Sequence, residues 1–255
     1  MKKCLSFALA AVMVFALGAG LVGCGGDGGG ITGIVAVGHV VTFGGYEWRV
    51  LDVQGSSALL ITEHIIELRP FHEVDDRDSF DGITWEHSDI RAWLNGPFLN
   101  RFSRADRNRI VQTMVRNDDN PWFGTAGGNN TQDHVFLLSL EEVVQYFGDS
   151  GELGRGRDGR WDFNDRYDNA RVARINDWGV LERFVSEFGQ RHGVTSVDDF
   201  GVDKLSFVTW WWLLRSPGLF ANFAALVIYD GIVNVEGNLV NTDAAGVRPA
   251  MWVNL

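Results

Sequence analysis

The sequence predicts an α+β domain built of short antiparallel sheets, a few helices and long loops, on three observations. β-Branched and aromatic residues alternate near both ends of the chain, helical spacing of apolar residues fills the middle, and no linker divides the two. Strands at both ends of one domain also lead us to expect that the terminal strands pair with each other.

The elements are read in order. Val40-Val41-Thr42-Phe43, the run 46–53 and the run 58–62 are separated by Gly44-Gly45 and Gln54-Gly55-Ser56, which predicts a meander of three strands. Ser88 is placed to cap a short helix with Ile90, Trp93 and Leu94 on one face, ended by Gly96-Pro97. A second helix is expected from Ser103, with Asp106 three residues on and Ile110, Val111 and Met114 on one side. Ser139 and Glu142 have capping-box spacing for a third helix stopped by Gly148. The segment 148–177 is rich in Gly, Asp, Asn and Arg, with Trp161 and Phe163 embedded, and reads as an exposed insertion. Leu181, Phe184, Val185 and Phe188 predict a fourth helix over 180–188, and strands return over 205–255.

Composition bounds the function. The 255 residues carry 22 Lys+Arg against 33 Asp+Glu, a net charge of −11. Phosphates must be neutralised by clustered cations, so nucleic acid is not expected as a partner, nor is an anionic membrane surface. The N-terminus reads as an address. Lys2 and Lys3 precede an apolar stretch over 5–21, and Leu21-Val22-Gly23-Cys24 resembles the bacterial lipobox, in which the cysteine becomes the first mature residue and carries the lipid. The expected organisation is a leader over 1–23, lipidated Cys24 with a Gly-rich tether over 24–37, and a folded domain over 38–255 with an insertion around 151–203. Membrane contact is expected through the lipid anchor alone, in an extracytoplasmic envelope location. Cys4 leaves with the leader and Cys24 is alkylated, so neither a disulfide nor a cysteine zinc site is available.

No nucleophile elbow, zincin helix, phosphate loop or dinucleotide glycine pattern is present, and the six histidines lack ligand spacing. An enzyme is therefore not expected. Two acidic groups remain as candidates for a glycosidase carboxylate pair or for calcium, Asp75, Asp76, Asp78, Asp81 and Glu86, and Asp162, Asp165 and Asp168; the run Asn117-Asp118-Asp119-Asn120 is a third candidate for calcium. Solvated acidic loops are the alternative for each. No cofactor is expected beyond a possible calcium ion.

Several runs carry a family resemblance. They are Val41-Thr42-Phe43-Gly44, Trp48-Arg49-Val50-Leu51-Asp52-Val53, Ile83-Thr84-Trp85-Glu86, Trp93-Leu94-Asn95, Asn120-Pro121-Trp122-Phe123-Gly124-Thr125, Gly127-Gly128-Asn129-Asn130-Thr131, the run 133–139 and Gly246-Val247-Arg248-Pro249-Ala250-Met251-Trp252. Together they resemble a bacterial family described as domain of unknown function 6273. The family's Trp-Trp-Leu-Arg-Ser-Pro-Gly stands here as Trp211-Trp212-Leu213-Leu214-Arg215-Ser216-Pro217-Gly218, one leucine longer. The closing architecture also resembles the end of C-type-lectin-like domains, a class that includes formylglycine-generating-enzyme-like domains and the variable proteins of diversity-generating retroelements. That resemblance implies a lectin-like fold. The oxidative chemistry of the formylglycine-generating relatives needs reactive cysteines, which the mature chain lacks.

The C-terminal strands are the expected binding surface. A three-residue loop Tyr229-Asp230-Gly231 with glycine in the left-handed position pairs Leu226 with Asn234 and Val227 with Val233; a second turn is expected near Gly237-Asn238. Ala225, Val227, Val233 and Val235 then share an apolar face, and Leu226, Ile228, Ile232, Asn234 and Glu236 a mixed one. Mixed character suits recognition, although a second core layer under the insertion is the competing reading. Phe220, Asn222 and Phe223 are placed at the rim, Tyr229 at the hairpin tip, and Asn238 and Asn241 beyond the second turn. Randomised adenines in AAC codons cannot yield Lys, Glu, Gln, Met or Trp, and between Pro217 and Arg248 only Glu236 belongs to that set.

Of the ten tryptophans, Trp48, Trp85, Trp93 and Trp252 lie in apolar patterns and are expected in the core. Trp210, Trp211 and Trp212 are consecutive, so a strand cannot turn all three inward. Trp122 and Trp161, in Gly/Asn/Asp-rich loops, are candidate aromatic platforms for a ligand, against the alternative that they pin those loops. The expectation is a surface lipoprotein binding an extracellular protein or glycan; a glycan hydrolase using acidic loop residues and a structural envelope protein are the competing classes.

Overall fold

The computed structural model describes residues 30–73, 82–192, 196 and 208–255. The leader, Cys24 and the acidic run from Asp75 to Asp81 lie outside the described residues. Strands β1 (Val40–Phe43), β2 (Tyr46–Gln54) and β3 (Ser57–Thr62) form the expected antiparallel meander. Gly44 and Gly45 both take positive φ, +57° and +83°, which a two-residue hairpin turn requires. The chain joins this sheet earlier than the tether's expected end at 37, because Thr32 and Thr42 exchange backbone hydrogen bonds of 3.0 and 2.9 Å.

After β4 (Glu67–Leu68), Ser88 caps α1 (Asp89–Trp93) by accepting the Arg91 N–H. Gly96-Pro97 does not end the helical path: the chain continues through a π turn over Leu94–Phe98 and a 3-10 turn over Leu99–Arg101. The next helix is one turn only, α2 (Arg104–Arg107), capped by Ser103. The expected continuation to Met114 fails because backbone pairing across the molecule competes with it. Ile110 bridges Val253, the Val111 N–H donates to the Trp252 carbonyl at 2.8 Å, and Met114 lies exposed in β5 (Thr113–Val115), paired with β6 (Thr131–Asp133).

The third helix, α3 (Leu140–Phe147), has the complete capping box of Ser139 and Glu142 and stops at Gly148, φ +124°, where a Cβ would lie 2.3 Å from the Tyr167 ring. The region expected as an exposed insertion keeps many exposed residues but is fastened to the body by paired strands. β7 (Asp162–Phe163) pairs with a C-terminal strand, α4 (Asp168–Arg171) follows, and β8 (Ala173–Ile175) precedes α5 (Trp178–His192), longer than the expected 180–188. The remaining strands are β9 (Val208–Trp210), β10 (Trp212–Pro217), β11 (Phe223–Val227), β12 (Val233–Leu239), β13 (Gly246–Val247) and β14 (Ala250–Asn254).

The strands form a four-stranded sheet in the order β1-β2-β3-β14, a six-stranded sheet β4-β13-β10-β11-β12-β7, and the pairs β5-β6 and β8-β9. Terminal strands do pair, β14 lying antiparallel to β3 with Trp252 opposite Leu59. The architecture is thus α+β, and one contiguous buried cluster draws on both larger sheets. Trp48, Trp85 and Trp212 are fully buried, and each indole N–H donates to an acceptor: the Phe43 carbonyl at 2.9 Å, Asp133 at 2.9 Å and the Arg171 carbonyl at 3.1 Å. Trp93, Trp252, Trp210 and Trp211 are half-buried against the same cluster. Leu213 and Leu214 fall within an irregular stretch of β10, where the register on β11 shifts between Leu213 and Pro217, and both are buried.

Candidate functional site

The C-terminal hairpin forms in the expected register. Leu226 lies opposite Asn234 and Val227 opposite Val233, and the Ile228 N–H donates to the Ile232 carbonyl at 2.9 Å. Gly231 takes φ +91°, and a Cβ there would lie 1.9 Å from the Asp168 carbonyl oxygen, so glycine is demanded both by the turn and by the close approach of α4. Across four strands, Trp212, Val227, Val233 and Phe163 form one fully buried row. The adjacent row on the opposite face, Leu213, Leu226, Asn234 and Asp162, passes from buried to half-buried to exposed toward the β7 edge. Leu226 is therefore packed inside and does not present itself to a ligand. Ile228, Ile232, Asn234 and Glu236 are half-buried.

The turn expected near Gly237-Asn238 is an irregularity within β12, which runs on to Leu239, opposite Phe223. Gly237 takes φ +78°, with its N–H bound by the Asn234 side-chain oxygen at 2.6 Å and its Cα hydrogen side facing the Ala224 carbonyl, where a Cβ would come within 2.2 Å. Asn234 is thus spent in part on shaping the strand. The other expected contacts separate into two groups at opposite ends of β11, about 20 Å apart along six residues of strand. At the tip stands Tyr229, 61 % exposed. At the base stand Phe220, 57 % exposed and edge-on to Phe223 at 5.6 Å, half-buried Asn222, and exposed Asn238, Leu239 and Asn241.

Between these ends the loop 120–125 is fastened to the sheet by one side chain. Buried Asn120 donates to the Pro217 and Val235 carbonyls at 2.8 and 3.0 Å and accepts the Trp122 and Phe123 N–H groups at 2.9 and 3.2 Å. All four of its bonding positions are used. Trp122, expected as a platform, is turned inward: it is buried, its indole N–H donates to the Leu153 carbonyl at 2.8 Å, and Phe163 packs on it at 5.9 Å. Trp161 is 43 % exposed, stacks with Phe123 at 6.1 Å, and carries the Arg157 guanidinium 4.0 Å above its ring. Its carbonyl accepts the Val235 and Glu236 N–H groups, which places the stack beside β12. Asn120 was singled out only as part of a candidate calcium run, and Phe123 and Arg157 were not singled out as site residues from sequence. Asn-Pro followed by two aromatics is a side-chain-capped turn signal that could have found the first two.

Four of the acidic residues, Asp165, Asp168, Asp118 and Asp119, are engaged in the fold. Arg171, fully buried, donates to Asp165 at 3.0 Å, Asp168 at 3.1 Å and the Gly148 carbonyl at 3.0 Å. Burial pushes both carboxyls up; at Asp165 the hydrogen bonds from Arg171 and Ser150 outweigh it and hold the group below the usual range, while Asp168 stays raised. Asp118 pairs with Arg116, and Asp119 accepts the Gly127 N–H. Among the described residues no group of three or more His, Cys, Asp or Glu side chains could hold a metal ion. Among the described residues, cavities of about 450 and 300 Å³ are present, and no residue of β11 or β12 lines either of these.

No curated protein and no solved structure matches the chain. The match to a family covers β3 through β14, leaving the β1 and β2 runs outside it, and includes the 120–125 loop, the runs around Arg215 and Arg248, and the hairpin. With the family described as Domain of unknown function (DUF6273) matching over residues 55–255, the chain belongs to that family.

Proposed function

We propose that this chain is an extracytoplasmic lipoprotein, anchored through Cys24, whose domain binds an extracellular macromolecule through the C-terminal hairpin and the loops beside it. The observation that carries the reading is the exposure of Phe220 and Leu239 beside Asn238 and Asn241 at the hairpin base, with Trp161 exposed alongside β12 and Tyr229 at the tip. Aromatic anchors beside amides are the composition of interface centres, and their projection from a surface that lines neither of these cavities suits a protein partner better than a small ligand. The Phe123 and Trp161 stack favours a glycan as the second reading, since exposed indole faces also pack on sugar rings. A lectin-like ancestry and a diversified C-terminus belong to the same proposal. Five positions compatible with adenine randomisation, Phe220, Asn222, Tyr229, Asn238 and Asn241, carry side chains at least partly open to solvent.

The hydrolase alternative has less behind it, because Asp165 and Asp168 are committed to Arg171. Among the described residues no helix is long and apolar enough to cross a membrane; a lipid on Cys24 would supply attachment by burying its acyl chains. The test is a paired screen of the purified protein against arrays of extracellular protein domains and of glycans. A hit on the protein array lost in a Phe220→Ser, Trp161→Ser double variant supports the reading. A hit that survives those substitutions, or no hit on either array, contradicts it.

A further inference from the structure

The larger cavity, about 450 Å³, lies between the first sheet, α3 and the α4 to β8 segment, within the size range of small-molecule sites. Three guanidinium groups, Arg49, Arg174 and Arg248, face one carboxylate, Glu63, in a chain whose net charge is −11. Arg248 is 1 % exposed and sits over the Trp212 ring at 5.2 Å. Its Nε donates to the Thr62 carbonyl at 2.7 Å and its Nη2 to the Glu63 carbonyl at 3.3 Å, while Nη1 has no acceptor among the described residues. Burial pulls this guanidinium down to about 10, which still leaves it charged at neutral pH. Arg49 is matched by Glu63. Arg174 is exposed at the rim with no ion-pair partner among the described residues.

A buried cation short of an acceptor is costly unless something nearby balances it. Burial shifts two further groups in the wall toward their uncharged forms: it lowers His64 despite Glu63 and Glu47 beside it, and raises Tyr146 to about 12. The cavity is therefore a cationic, hydrogen-bonding container. We infer that it binds a small polar molecule bearing one oxyanion group, carboxylate or phosphate, held between Arg174 at the mouth and the Arg248 charge in the wall. This site is separate from the hairpin surface, and neither proposal depends on the other.

The test titrates the purified, ¹⁵N-arginine-labelled protein with D-glucuronate, acetate and inorganic phosphate, with D-glucose as the neutral control. A saturable shift of the Arg248 Nε–H signal by at least one anion and not by glucose is expected, and the order of the anions distinguishes a carboxylate from a phosphate source. Arg174→Glu should weaken that binding at least tenfold with an unchanged unfolding temperature, and raising NaCl to 0.5 M should weaken it in the parent protein without any substitution. No saturable shift with any anion, an equal response to glucose, or undiminished binding by a folded Arg174→Glu protein overturns the inference.

Discussion

Arg215 and Glu142 join the two motifs that surround the domain's third helix: Arg215 Nη2 donates to Glu142 Oε1 at 2.9 Å, while Glu142 Oε2 accepts the Ser139 N–H at 3.0 Å. One carboxylate thus closes the helix cap and holds a buried guanidinium. Arg215 also donates to the Leu137 and Arg116 carbonyls, so it ties β10 to the chain on both sides of β6. Removing one partner of such a pair leaves the other charge buried and unmatched. Arg215→Ala should cost about 3–5 kcal/mol of unfolding free energy. Glu142→Gln keeps the cap but leaves the buried Arg215 charge unmatched, so it should be destabilising by a comparable amount. Urea unfolding of both variants measures the two losses.

Asn120 decides where the aromatic loop sits. Replacing it by alanine strands two carbonyls and two N–H groups, a loss of about 2 kcal/mol or more. Asn120→Asp should be worse placed still, since a carboxylate meets the Pro217 and Val235 carbonyls where an amide donated. Thermal unfolding reports the stability. Exposure of Trp122 to a fluorescence quencher reports whether the loop has lifted.

Gly231→Ala tests the hairpin tip. The left-handed φ and the 1.9 Å approach to the Asp168 carbonyl act together, so α4 or the turn must move. A loss above about 1 kcal/mol is expected, measured against a Gly55→Ala control, where the φ is also positive but nothing lies within 4 Å of the added carbon.

Tyr146 makes stability depend on alkaline pH. Burial first, then the Glu142 and Asp52 charges, raise its folded-state value to about 12 against an ordinary value of 10.0. Its contribution is complete below pH 10, and it is lost as the pH rises through about 12, because the unfolded chain gives up the proton first. Stability of the parent should therefore fall relative to Tyr146→Phe between those limits, and curves that stay parallel would contradict the assignment.

Lipidation is tested at Cys24. In a bacterial host the chain should incorporate radiolabelled palmitate and fractionate with membranes, and Cys24→Ser should abolish the label and release or strand the protein. Label that persists in the variant would place the lipid elsewhere or remove the anchor from the account.

The hairpin register was legible because a three-residue loop puts Val227 and Val233 on the same face as Ala225 and Val235 where a two-residue loop would set Val227 against Asn234, and the left-handed Gly231 supplies the turn. The cap of α3 was equally local. The path after Ser103 was not, since Ile110, Val111 and Met114 satisfy helical spacing while the backbone of Ile110 and Val111 is claimed by the C-terminal strand some 140 residues away and that of Met114 by β6. Trp122 misled for the same kind of reason. Its neighbours are loop residues, but the carbonyl it binds and the ring that covers it arrive from Leu153 and Phe163. Gly237 signalled positive φ correctly, and the spacing could not tell an irregular strand from a turn. The cationic cavity left no signature at all: Arg49, Arg174 and Arg248 are far apart in sequence and meet only through the fold.

The central claim, that the hairpin base is a contact surface for another macromolecule, is tested most directly by photo-crosslinking in intact cells. A photoreactive phenylalanine at position 220 should give a discrete adduct of fixed mass, and the same residue at position 114, equally exposed on β5, should give none. Equal labelling at both positions, or no adduct at 220 from a correctly folded and exported protein, would contradict the account.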